Sequence, residues 1–217
     1  LCALLLCPLG ALVAQEATDC FPDRVVTLNL GSVASPPAFG SWQPGIVLGP
    51  PGNATPTTGS LTVLSLGHGG SLVLEFTDNV IVDGPGPDFL VFENAFFKTT
   101  VPADPNQPYT VFAEPGTVAV SDDGVTFQTF PYDPAALANV GQTGTPSWAL
   151  PELRGLAGVT PTFTGNWTIP DDPDVWDPAG SGGVSGAGGD AFDLASVGLA
   201  RARFVLITDL NLNTGFA

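Results

Sequence analysis

Apolar and polar positions alternate with period two in short stretches along this chain, and no stretch keeps a helical period over an ordinary helix length, which predicts strands rather than helices. Residues 24–30 (RVVTLNL) open with such a strand, and 46–52 (IVLGPPG) read as a short strand ending in a rigid turn. Residues 61–66 and 71–76 are predicted as two strands joined across Gly67-His68-Gly69-Gly70. In the second of them Leu72, Leu74 and Phe76 point one way, and Val73 and Glu75 the other. Strands at 79–82 and 88–93 flank Asp83-Gly84-Pro85-Gly86-Pro87, whose prolines cannot donate to a ladder and whose glycines admit positive φ. The strand at 88–93 is apolar on both faces, as a central strand is. Further strands are predicted at 109–113, 117–120, 125–130 and 203–209, with Ser121-Asp122-Asp123-Gly124 as a hairpin turn. Residues 134–140 read as one short helical turn, and 141–189 as long loops.

That pattern predicts an all-β, antiparallel β-sandwich with long Gly/Pro/Asp-rich loops, and the 27 Gly and 22 Pro agree with many turns. The 217 residues suffice for one sizeable core. The apolar run Leu1 to Val13 reads as the h-region of a signal peptide lacking its start, too short to span a bilayer. Residues 1–14 are therefore assigned to a leader, and 15–217 to a single β-sandwich domain. Its removal leaves Cys20 as the sole cysteine, so no internal disulfide is expected. The expected location is secreted or cell-surface, without membrane insertion.

Five basic residues face twenty-one acidic ones, giving a net charge of −16. Such a field repels nucleic acid phosphates and makes cations the natural partners. Ten of those acids fall within 78–93 and 171–193, where no Lys or Arg occurs. Asp78, Asp83, Asp88 and Glu93 recur every five residues, at strand ends around the Gly-Pro turn. Together with Asn94, and with Asp190 and Asp193 from a distant loop, they offer the six to eight oxygens that Ca2+ takes. The spacing is not that of an EF-hand. Two plainer readings stand beside this one: Asp83-Gly84 and Asp88 also suit turn chemistry, and acidic surface charge also serves solubility.

His68, the only histidine, rules out multi-histidine zinc sites, and no nucleophile-elbow pattern accompanies it. No catalytic residue is assigned, although paired carboxylates are all that glycoside hydrolysis needs. Trp167 and Trp176 lie in the acidic loop region and are the candidates for stacking on sugar rings; as bulky apolar groups they also suit plugging the sandwich ends.

Val118 to Phe130 (VAVSDDGVTFQTF) and Ala200 to Thr208 (ARARFVLIT) resemble the hairpin and the late strand of the discoidin, or galactose-binding-like, sandwich family. Four segments resemble uncharacterised bacterial secreted or cell-surface proteins: LGPP at 48–51, the block 83–94, FAEP at 112–115 and GGDAFDL at 188–194. The resemblance implies a galactose-binding-like jelly roll at the cell surface, lacking its last strand here. It also implies a cysteine pair near Tyr132 and Leu156, both members of which this chain lacks. A calcium-stabilised, non-catalytic binding or adhesion module is expected, with a glycan or another extracellular surface ligand as partner; the alternatives are a carbohydrate-active hydrolase using paired carboxylates and a purely structural surface domain.

Overall fold

A computed structural model describes residues 21–32, 43–49, 57–60, 62–98, 109–139, 147–148, 154–162 and 188–211. Residues 1–14, expected to be a leader, and Cys20, Trp167 and Trp176 lie outside the described residues. Among those residues the regular structure is β-strand and short 3-10 turns, every strand pairing is antiparallel, and the all-β expectation holds. No helix among them is long and apolar enough to cross a membrane.

The largest sheet has six strands. Its order runs β1 (Arg24–Asn29), β2 (Ser71–Glu75), β13 (Phe204–Asp209), β7 (Gly116–Ser121) and β10 (Leu156–Ala157), with β8 (Gln128–Thr129) also on β7. Among the described residues there are also three small sheets: β4 (Phe89–Val91) with β11 (Asp190–Phe192), β3 (Ile81–Val82) with β12 (Arg201–Ala202), and β6 (Tyr109–Phe112) between β5 (Phe96–Phe97) and β9 (Ser147–Trp148).

Register explains the core. Leu74, Val205 and Val120 stand opposite one another across three strands, as do Leu72, Ile207 and Val118. All six are buried, because period-two alternation places them on one face of the sheet. Against that face pack Phe89 and Val91 of β4, Phe192 of β11, Ile81 of β3 and Ala202 of β12, which makes the arrangement sandwich-like. Phe192 stacks on Phe89 with ring centroids 5.2 Å apart and meets Phe130 edge-on at 4.8 Å. A second apolar cluster, including Phe97, Val111, Leu156 and Val159, fills the space between β5, β6 and β10.

Three sequence expectations need correction. Residues 44–47 form a 3-10 turn rather than a strand, with Pro44 in its first turn, where a missing N–H is harmless. The described part of 61–66 forms no strand; Gly31 donates to the Leu66 carbonyl and Ser32 bridges His68, so this segment lies beside the end of β1. The strand expected at 125–130 shrinks to Gln128–Thr129, because the Val125 and Thr126 amides donate to the Asp123 carboxylate instead of a ladder. Those bonds hold the Asp123 pKa down to about 2.

Phe192→Ala removes the ring shared by Phe89 and Phe130 and is expected to destabilise the fold by about 3–5 kcal/mol. Urea denaturation measures it, and a loss under about 1 kcal/mol contradicts this account of the core.

Candidate metal centre

The Asp83-Gly84-Pro85-Gly86-Pro87 turn carries the chain from β3 back into β4. Gly86 adopts φ +86, a conformation that glycine enters freely. Asp88 closes the turn: its Oδ1 accepts from the Gly84 amide at 2.7 Å. Its Oδ2 accepts from the Leu194 amide at 2.7 Å, and its own amide donates to the Phe192 carbonyl at 2.8 Å. One buried side chain thus ties the loop before β4 to the residues after β11. The next acid along, Asp193, caps the following 3-10 turn through Oδ1 and the Ala195 amide.

These positions bring Asp83, Asp88 and Asp193 together, with one carboxylate oxygen from each within 4.8 Å of the other two. Oxygens about 2.3–2.6 Å from a common calcium ion lie at most about 5 Å apart, so the spacing fits. A set of three carboxylates would suit a hard cation better than zinc or copper. Asp88 is buried, Asp193 half-buried and Asp83 exposed, so the cluster opens to solvent on one side. Burial raises the Asp88 pKa against the lowering effect of the Leu194 and Gly84 amides, and Asp193 and Asp83 raise it further. A cation in the cluster reverses that repulsion and favours the ionised form. Each Asp88 oxygen keeps a lone pair beyond its amide bond, so stapling and ligation are compatible.

The remaining expected ligands lie elsewhere. Asp78 is exposed in the turn between β2 and β3, outside the cluster. The Asn94 Oδ1 accepts from the Ser60 amide and fixes that segment to the end of β4. Glu93 and Asp190 are buried, with 4 % and 6 % of their surface exposed, and sit apart from the aspartate cluster. Asp190 accepts from the amides of Gly158, Val159 and Thr160 at 2.7, 3.1 and 3.0 Å. Burial pushes Glu93 up to about 7, with Glu114 and Asp190 adding to it. It also pushes Asp190 up to about 7 against those amide bonds. Sequence reasoning overlooked the 158–160 amides and Glu114: main-chain donors carry no residue-type signal, and Glu114 stood out only as part of FAEP.

Comparison with protein-family models, with characterised proteins and with solved structures finds no match.

Asp88→Ala leaves the Gly84 and Leu194 amides without their acceptor, each loss being worth about 1–3 kcal/mol. A total destabilisation of about 2–5 kcal/mol is expected in denaturant titrations run with a chelator, against under about 0.5 kcal/mol for Asp78→Ala. Equal effects at the two positions contradict the stapling role.

Proposed function

We propose that this chain is a secreted or cell-surface, non-catalytic binding or adhesion module, built on a galactose-binding-like jelly roll and stabilised by calcium at Asp83, Asp88 and Asp193. The observation that carries the reading is the convergence of three carboxylates from two distant parts of the sequence. Bound there, calcium supplies charge neutralisation and no step of any reaction. Asp83 and Asp88 bring the turn before β4, Asp193 brings the residue after β11, and their shared ion locks the two together. The acidic composition and the apolar leader support an exported protein that uses calcium in place of disulfides.

A glycan is the proposed partner. In sequence Trp167 and Trp176 fall between Thr162 and Gly188, which pair in an isolated bridge, with Asp190 and Asp193 following closely. Their rings offer stacking faces for sugars, and the acids beside them in sequence, Asp171, Asp172, Asp174 and Asp177, offer acceptors for hydroxyls.

One observation favours a second reading, a carbohydrate-active hydrolase with paired carboxylates. Glu93 and Asp190 are both pushed up to about 7, the range a general acid uses at neutral pH. Their burial, and the three amides already bound to Asp190, make them poorly placed to meet a substrate.

Calcium at about one hundred times its Kd is expected to add about 2.7 kcal/mol, or roughly 5–10 °C in melting temperature. Calorimetry is expected to show binding heat that Asp83→Asn and Asp193→Asn abolish while the fold persists. An unchanged melting point with no binding heat removes the calcium site. For the hydrolase, turnover of a glycan panel lost in folded Glu93→Gln is the expected mark, and no turnover by the wild type excludes it.

A further inference from the structure

The chain holds two Asp-Gly pairs, Asp83-Gly84 and Asp123-Gly124, and no Asn-Gly pair. Asp-Gly is the setting in which an aspartate rearranges most readily, because glycine has no Cβ to hinder its own amide nitrogen. That nitrogen attacks the aspartate Cγ: an N–C bond forms, a C–O bond breaks, and the carboxyl OH leaves with the amide proton as water. Water then reopens the resulting five-membered succinimide at either carbonyl. One opening returns aspartate, and the other leaves isoaspartate, whose main chain runs through the former side chain.

The two pairs are held differently. Asp123 Oδ1 accepts from the Thr126 and Val125 amides and the Ser121 hydroxyl, each at 2.8 Å. Those bonds hold its pKa down to about 2, and an ionised oxygen is a poor leaving group. The Gly124 amide donates to Ser121 Oγ at 3.0 Å, and a Cβ built on Gly124 lies 3.0 Å from the Phe204 ring. Carboxylate, attacking nitrogen and glycine are therefore all fixed at that pair. Around Asp83, residues 82–86 are exposed without a break, and among the described residues no donor holds its carboxylate. The restraint there is on the nitrogen alone: the Gly84 amide donates to Asp88 Oδ1 at 2.7 Å.

We propose that Asp83 is the site at which this folded chain forms isoaspartate, and that the hydrogen bond from Gly84 to Asp88 sets the rate. While that bond is made, the Gly84 nitrogen is held toward Asp88 and keeps its proton. When the exposed turn opens locally, nitrogen and Cγ are able to meet. The turn is anchored on both sides, the Asp83 amide donating to the Ala200 carbonyl at 3.0 Å and Asp88 accepting from Leu194 at 2.7 Å. Isoaspartate adds one carbon to the main chain between those anchors and leaves its free carboxylate on the Cα. The lengthened turn no longer matches the Gly84–Asp88 bond, and the carboxylate of residue 83 is drawn away from Asp88 and Asp193. The inference stands on the turn and does not depend on the calcium reading.

The test is peptide mapping by electron-transfer mass spectrometry on the full chain, aged in warm neutral buffer with EDTA, beside the same chain aged unfolded in guanidinium chloride. Dividing the rate at each pair by its rate in the unfolded chain removes the effect of local sequence. Folding is expected to slow Asp123 at least about tenfold more than Asp83, the factor that one hydrogen bond contributes. Asp88→Ala, shown to be folded by circular dichroism, is expected to raise the Asp83 rate about tenfold and leave Asp123 unchanged. Gly84→Ala is expected to abolish isoaspartate at position 83 without disturbing the turn, since the Gly84 φ is not positive and a Cβ there meets only Asp88 Oδ1, at 3.6 Å. The wild-type comparison needs no variant, so it decides the site even where Asp88→Ala does not fold. Equal normalised rates at the two pairs, a faster Asp123, or no isoaspartate at 83 in the folded chain while the unfolded chain converts, overturns the assignment. An unchanged Asp83 rate in folded Asp88→Ala overturns the role of the Gly84–Asp88 bond.

Discussion

Strand β11 is three residues long and stays in place because a buried carboxylate grips the chain at each of its ends. Asp190, its first residue, accepts three amides from 158–160, and Asp88 accepts the amide of Leu194 just beyond it. Between them lies Phe192, the ring at the centre of the aromatic cluster. So short a strand has too few ladder bonds to define its own position. Desolvated carboxylates need amides as much as loop amides need acceptors, and that mutual need fixes β11 against β4.

Both acidic groups follow from this bracket. Asp193 reaches Asp83 and Asp88 because it follows the gripped end of β11. Glu93 meets Asp190 because β4 runs antiparallel to β11, with Asp190 opposite Val91 two residues before Glu93. A single two-stranded sheet therefore carries a solvent-open acid cluster at one end and a closed one at the other. Burial makes the difference: Asp83 is exposed in the first, while Glu93 and Asp190 are both buried in the second.

Strongly alternating stretches were legible from sequence. The strands around Leu72 and Leu74, Val118 and Val120, and Val205 and Ile207 stand where the pattern puts them. β10, β11 and β12 were not legible, since two or three residues cannot display a period and their pairing depends on partners far away in sequence. At the site, the acid-rich segments contained Asp83, Asp88 and Asp193, which the fold brings together, but even spacing grouped Asp78 and Glu93 with them and the fold places both elsewhere. Five-residue spacing has no meaning once a turn intervenes. Asp78 precedes the β3 pair, while Glu93 lies beyond β4, on opposite sides of the Asp83–Asp88 turn.

The irregularity in β1 bears on how copies of the protein meet. β1 ends the described order of the six-stranded sheet, and Val26 and Leu30 there are 44 % and 50 % exposed. An apolar edge of that kind invites another chain to add a strand. Its pairing with β2 slips between Val25 and Thr27, a bulge that breaks the even row of outward amides and carbonyls, and Arg24 pairs with Glu75 at the strand's start. An incoming strand finds neither a continuous ladder nor an uncharged end, so the sheet resists growing from one molecule into the next.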